Sequence, residues 1–406
     1  MDFKVKTSSF YYFFVCLIFF LNLGLLNIIV NITGITTYIS IFITIILFLI
    51  FIKQAKNINY YIWLLVYDIL LIFYLICQFF RPSGFILNMS EIFRMYSPFL
   101  LIFLAFPISE ILNSEKRACF FNTIISLGYI ALIIKTLYWT LYNFFNINIA
   151  PGTIIIDWVR AIGGMELTRL TGVFLGGYLI VTSWYKVLCQ YKSKYLIGLI
   201  FILFYDVVIS QSRGAMIEYI VLSFFILLFH IRRTKNKLIN SILITIAFLS
   251  LFLLLAPQIV NFINTFSPNN MKYGGSTLTR QRGYQFFFNM WQNNKLWGIG
   301  LIPDHIFVNK WLTYYLSDYN FIVNLYEFGF AGFLIMLIPC IYGVRISYLV
   351  LKNNKKIDEL TYIQLFLTVY IFINFFIQNI YLAQNITLLP LYIAISISTL
   401  NEIKEC

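Results

Sequence analysis

Apolar residues run through this chain in blocks close to twenty long, separated by short polar or basic stretches. A helix rises about 1.5 Å per residue, so each block is long enough to cross a hydrocarbon layer of about 30 Å. The pattern predicts twelve spans, near residues 10–30, 35–52, 60–80, 95–112, 120–145, 170–189, 195–210, 214–231, 238–256, 321–343, 360–381 and 385–401. Alternating strand patterns of about ten residues with regular turns are absent, which argues against an outer-membrane barrel. The expected fold class is an all-α polytopic membrane protein of about 12 transmembrane helices. Residues 1–406 form a single transmembrane domain, with one large external loop, 257–320, before helix 10. The first block follows Lys4 and Lys6 but is too long and aromatic for a cleaved leader, and no small-x-small site follows it. It reads as a retained span.

Composition agrees: the chain is 61% hydrophobic and 11% charged, where a soluble protein carries about a quarter charged residues. Charge adds sidedness. Basic clusters follow every second span: Lys53 and Lys56; Lys116 and Arg117; Lys192 and Lys194; Arg232, Arg233, Lys235 and Lys237; Lys352, Lys355 and Lys356. The positive-inside rule places these loops and both termini in the cytoplasm. The net charge of +13 is therefore topological in bulk, not a nucleic-acid signal. Six cysteines in spans or short cytoplasmic segments, and two histidines, give no disulfide framework and no metal-ligand spacing. On the external side the cations are mainly arginines: Arg81, Arg94, Arg160, Arg169, Arg213, Arg280 and Arg282. The planar guanidinium suits bidentate contacts to phosphate or carboxylate, so this set suggests a bound anion. Snorkelling to lipid headgroups is the plainer alternative, for Arg81 and Arg94 first.

Four stretches stand out. RLTGVFLGGYL puts Arg169 at the mouth of the sixth span, and SRGA puts Arg213 at the start of the eighth. In STLTRQRGYQFFFNMWQNNKLWGIG, Tyr284, Phe287, Phe288 and Trp291 recur at helical spacing, predicting an amphipathic helix near 280–297. Ser276, Thr277 and Thr279 offer N-caps, which puts Arg280 and Arg282 in the first turn, and Gly298 and Gly300 end the helix. Arginines there oppose the helix dipole, a misfit that an anion between them would remove. In SDYNFIVNLYEFGFAGF, Asp318 stands just outside the tenth span and Glu327 lies nine residues deeper. An acid at that depth needs a partner or a cavity. Pairing with a neighbouring arginine is one reading of Glu327 and substrate binding the other. Of the remaining intramembrane charges, Asp68 with Lys135, or Asp206 with a nearby arginine, would make interhelical pairs.

In this order and on this topology, the four stretches resemble the O-antigen polymerase and O-antigen ligase superfamily. The resembling elements are the Arg-x-x-Gly of Arg169 to Gly172 and the Ser-Arg-Gly-Ala of Ser212 to Ala215. Arg280 or Arg282 with the aromatic helix and Gly298-x-Gly300 follow, then Asp318 eleven residues before Gly329. Ligases have a histidine followed by asparagine at the last position, whereas polymerases commonly have an aspartate, as here. The resemblance implies a GT-C-type glycosyltransferase architecture in the bacterial inner membrane. It implies polymerisation of undecaprenyl-diphosphate-linked oligosaccharide repeat units into O-antigen or capsular polysaccharide, without metal or cofactor. Asp318, Arg213 and Arg280 would be catalytic. Arg169, Arg282, Glu166, Tyr284, Asp304, His305 and Glu327 would bind diphosphate or glycan. Membrane lipid, a chain-length regulator and a flippase are the implied partners, with no nucleic acid. Alternatives are an O-antigen ligase acting on lipid A-core and, from another class, a lipid-linked oligosaccharide flippase. A flippase is usually built from two similar halves, and no internal repeat is evident here.

Overall fold

Backbone inside a bilayer has no water to bond to, so an uninterrupted apolar block closes its own hydrogen bonds as a helix. The computed structural model describes residues 7–26, 33–54, 61–81, 89–149, 156–162, 165–232, 267, 274–303, 305–309, 312–315, 319–352, 357–377, 380–381 and 385–405. Helices occur there at eleven of the twelve expected places; the ninth, 238–256, lies outside the described residues. In chain order they begin with α1 (Thr7–Asn22), α2 (Thr33–Gln54), α3 (Ile62–Phe80) and α4 (Met89–Tyr96). A 3₁₀ segment (Ser97–Leu104), α5 (Ala105–Leu112) and α6 (Arg117–Phe145) follow. Then come α7 (Gly176–Leu188), α8 (Lys194–Phe204), a π turn (Tyr205–Ile209) and α9 (Arg213–Arg232). The last four are α10 (Gly274–Gln292), α11 (Ile322–Lys352), α12 (Glu359–Ile377) and α13 (Leu388–Glu405). Among the described residues, seven helical stretches are long and apolar enough to cross a membrane. The chain is an all-α polytopic membrane protein.

Among the described residues, several spans depart from simple rods, the seventh through the π turn that follows α8. The fourth is broken into α4, the 3₁₀ segment and α5, with Pro98 opening the 3₁₀ part and Pro107 in the first turn of α5. The sixth is helical only over the thirteen residues of α7, about 20 Å and too short to span alone; residues 170–173 before it are not helical. The tenth runs on to Lys352 and breaks at Gly329, whose φ of 64° and ψ of −172° leave the helix. Two antiparallel hairpins also join the loops, β1 (Ile156–Ile162) with β2 (Met165–Arg169), and β3 (His305–Asn309) with β4 (Leu312–Tyr315).

α5 and α13 are apolar almost all round and pack on each other at the centre, with Ala105, Ile108, Ile111, Leu391 and Ile395 fully buried. α1 also packs on α5, and α12 on α13. A second, smaller core joins α10, the β3–β4 hairpin and the start of α11 around Phe287, Trp291, Tyr314, Tyr319 and Val323.

Charges expected on the cytoplasmic side do share one face. Arg117 Nη1 meets Glu402 Oε1 at 2.5 Å and Asp358 Oδ2 at 3.8 Å, and Lys186 Nζ meets Glu359 Oε1 at 2.6 Å. These pairs tie α6, α7, α12 and α13 together. The loops expected outside meet at the other face, where Gln78 at the end of α3 donates to the Trp297 carbonyl at 2.9 Å.

Candidate functional site

The RLTG stretch is held, non-helical beyond Arg169, against the π turn that precedes α9. Upstream, Trp139 Nε1 donates to the Thr168 carbonyl at 2.7 Å, and Asn143 Oδ1 accepts the Thr168 amide at 2.9 Å. The Leu170 amide then donates to the Ile209 carbonyl at 3.2 Å. Two side chains satisfy carbonyls that a helix would otherwise use. Tyr205 Oη donates to Thr171 O at 2.8 Å, while Lys135 Nζ donates to Thr171 O at 3.3 Å and to Gly172 O at 3.0 Å. These bonds stabilise the non-helical start of the sixth span. They also correct the expected Asp68–Lys135 pair, because the ammonium is spent on main-chain carbonyls. Asp68 is fully buried and neither carboxylate oxygen has a hydrogen-bond partner among the described residues.

SRGA is a helix start. Gln211 takes a left-handed φ of 51°, Ser212 N donates to Asp206 O at 3.1 Å, and Ser212 Oγ accepts the Ala215 amide at 3.3 Å. Ser212 is thus the N-cap and Arg213 the first residue of α9, where unbonded amides and the helix dipole favour an anion. The Arg213 side chain lies outside the described parts. Asp206, expected beside an arginine, has Ser210 as a hydrogen-bond partner. Glu218, one turn deeper in α9, accepts from Asn374 Nδ2 at 3.3 Å. Because Gly176 and Gly177 open α7, it packs closely: a Cβ on Gly176 would lie 1.7 Å from Tyr219 Oη, and one on Gly177 would lie 2.4 Å from Tyr370.

The amphipathic helix is present but displaced. α10 begins at Gly274 and ends at Gln292, so Arg280 and Arg282 sit in its second and third turns rather than at its N-terminus. A nucleated helix gains one backbone bond for each residue added, and the stretch from Gly274 to Thr279 therefore joins it. The free amides and the two guanidiniums accordingly do not converge. The arginines also differ from one another: Arg280 is partly buried on the face that carries Phe287 and Trp291, while Arg282 is exposed. Tyr284 meets the Tyr319 ring edge-on with centroids 4.9 Å apart, and a Cβ on Gly283 would lie 1.6 Å from Tyr319 Oη. Tyr319 is thereby locked beside α10. Its chain neighbour Asp318 lies outside the described residues, as does Asp304.

Gly298 and Gly300 do not end α10. Their loop is stitched into the break of α11. Ile299 N donates to Tyr326 O at 2.8 Å and Gly300 N to Glu327 O at 3.0 Å; Phe330 N donates to Lys295 O at 3.0 Å and Ala331 N to Leu296 O at 3.1 Å. The loop therefore takes up main-chain groups on both sides of Gly329, as a buried backbone requires. Glu327, 2% exposed, accepts from the Tyr96 hydroxyl and, at 3.3 Å, from the Ile302 amide. Its described partners are thus a tyrosine and a main-chain amide rather than a guanidinium, and these contacts tie α4 and the loop to α11.

The structure brings part of the expected constellation together. Leu170, next to Arg169, bonds Ile209, four residues before Arg213. Gly214 approaches α12 so closely that a Cβ would lie 2.9 Å from Ile377 Cγ2, and the neighbouring Phe376 carbonyl accepts from Asn320 Nδ2 at 2.9 Å. Asn320 follows Tyr319, which packs on α10 at Gly283 and Tyr284. A continuous path of contacts therefore joins Arg169, SRGA, the segment after Asp318 and α10. Two expected binding residues fall in hairpins. Glu166 is in β2 opposite Ala161, and His305 opens β3 opposite Tyr315. Trp139, Asn143, Lys135 and Tyr205 escape a sequence reading, since nothing in their spacing says that they meet residues 168–172.

No curated protein matches the chain. One family match spans SRGA, α10, the Gly-x-Gly loop, Asp318 and Gly329, and leaves Arg169 outside it. Residues 198–337, about a third of the chain, match the family model described as O-antigen ligase.

Proposed function

We propose that the protein polymerises undecaprenyl-diphosphate-linked oligosaccharide repeat units on the external face of the bacterial inner membrane, with both termini in the cytoplasm. The family match supports a membrane function within the ligase and polymerase superfamily. The observation that carries the reading further is the contact path from Arg213, at the first position of α9, through α12 to the segment that follows Asp318. It favours one site in which guanidiniums and an acid face the same substrate. The aspartate at position 318, where ligases resemble one another in having histidine, favours polymerase over ligase.

In this reading the growing glycan leaves its lipid diphosphate and joins the terminal sugar of another lipid-linked repeat. Charge builds on the diphosphate as the glycosidic bond breaks. Arg213, Arg280 and Arg169 stabilise it, since fixed charges aimed at developing charge need no reorganisation. Asp318 takes the proton from the attacking hydroxyl, and a single displacement inverts the anomeric centre. Arg282, exposed on α10, is left with a peripheral contact to glycan or headgroup.

Deletion of the gene followed by gel analysis of surface glycan tests this. Loss of the polymer ladder with a single repeat unit retained supports a polymerase. Loss of all transfer to lipid A-core indicates a ligase, and lipid-linked repeats trapped inside indicate a flippase. In the complemented strain, Arg213→Lys should cut polymer formation by about 100-fold, the scale of losing one such donor. Asp318→Asn should abolish it at unchanged protein level; long polymer in that variant would place the base elsewhere.

A further inference from the structure

At the end of α3, outside the site described above, a cleft of about 500 Å³ lies between the helix and the Gly-x-Gly loop, lined by Ile76, Cys77, Gln78, Phe80, Arg81 and Trp297. Its two walls are held in fixed relation. Gln78 Nε2 donates to the Trp297 carbonyl at 2.9 Å, and the Tyr74 ring lies nearly parallel to the Trp297 ring at 6.1 Å between centroids. Phe80 is 78% exposed and Trp297 51% exposed, so the walls present apolar surface outward. For a membrane bundle that surface faces hydrocarbon and the interfacial zone where tryptophan concentrates. Arg81 closes the cleft. Among the described residues its guanidinium meets no carboxylate, and its Nη1 is buried without an acceptor. An unsatisfied buried donor is unfavourable, and an acceptor carried by a ligand removes the penalty.

We propose that this cleft is a lateral access site that holds an isoprenoid diphosphate lipid, its phosphate on Arg81 and its chain along Ile76, Phe80 and Trp297. The charge complementarity is that of guanidinium and phosphate. The apolar walls suit the hydrocarbon tail. Ordinary anionic phospholipid shares part of this chemistry, but the position favours the isoprenoid carrier. Trp297 adjoins Gly298, in the loop that leads directly from α10 and Arg280 and is stitched into α11. A lipid in the cleft thus rests against the loop that follows α10, the helix that carries Arg280. The identity of the lipid rests on the reading under Proposed function.

The test is site-specific photocrosslinking of the purified full chain in detergent, with benzoylphenylalanine in place of Ile76 and undecaprenyl diphosphate as probe. A crosslink is expected that falls about tenfold with Arg81→Gln and also drops with Phe80→Ala, a change at an outward-facing residue that leaves the fold intact. Arg213→Gln should not alter it, which separates this site from the catalytic one. Excess phosphatidylglycerol or inorganic diphosphate should compete poorly. Equal competition by phosphatidylglycerol would reduce the cleft to a general headgroup site. Undiminished crosslinking in Arg81→Gln with a normal melting temperature would remove Arg81 from it. Either result overturns the proposal. Because binding is read without turnover, a chain that makes no polymer still gives a clear result, so failure of the polymerase reading registers separately in the glycan gel.

Discussion

Gly329 and Gly298 touch backbone to backbone, and each takes a conformation that other residues reach only with strain: φ is 64° at the first and 77° at the second. A Cβ on Gly329 would lie 2.3 Å from Gly298 N and 2.4 Å from Leu296 O, both main-chain atoms that cannot swing aside. A positive-φ, extended-ψ conformation like that of Gly329 costs a non-glycine residue about 1–3 kcal/mol. Gly329→Ala should therefore lower the melting temperature of the detergent-solubilised protein and reduce polymer formation. Gly34→Ala is the matched control, because its Cβ would find only Tyr38 Cε2 at 3.9 Å. If the two variants melt alike, the docking of the loop on α11 is not what requires glycine. Gly-x-Gly was legible in the sequence as a motif, and its meaning was not. Its partners are some thirty residues on in the chain, and a helix-end reading explains two glycines equally well.

At the scale of elements, breaks in helices are repaired by groups from elsewhere. α11 is repaired by the 295–300 loop, and the short α7 by Lys135 and Tyr205 acting on the carbonyls before it. Glu327 works in this way too, joining α4 to the loop through Tyr96 and Ile302. Glu327→Gln keeps a carbonyl acceptor for both donors and should leave the melting temperature close to that of the parent. Glu327→Leu removes the acceptor that Tyr96 and the Ile302 amide share, leaving them only each other, and should melt below it. If Glu327→Gln instead abolishes polymer while melting normally, the carboxylate has a chemical role beyond this tie. The hairpins show a different gap. Ile162 pairs with Met165, and the Gly163-Gly164 dipeptide between them in the sequence is a strong hairpin signature. A reading based on span-length hydropathy passes over so short a pattern.

For the whole molecule, the ion pairs of Arg117 and Lys186 gather the loops expected in the cytoplasm on one face, while Gln78, Tyr96 and Asn320 gather the opposite loops on the other. Contacts fix which loops share a face, and labelling fixes which face is outside. In a cysteine-free background, Asn293→Cys should react with a membrane-impermeant maleimide in intact spheroplasts, and Glu115→Cys only after permeabilisation. The reverse pattern would invert the orientation and remove the external arginine set. The membrane class and the positions of the described helices were readable from the chain, because transfer into a bilayer is a property that residues contribute one by one and neighbours sum. Tertiary structure decided which polar groups meet. It took Lys135 to the carbonyls of residues 171 and 172 rather than to Asp68, gave Glu327 a tyrosine and an amide as its partners among the described residues, and set one glycine against another across a broken helix. Such pairings depend on the close approach of segments far apart in sequence, and no summation along the chain contains them.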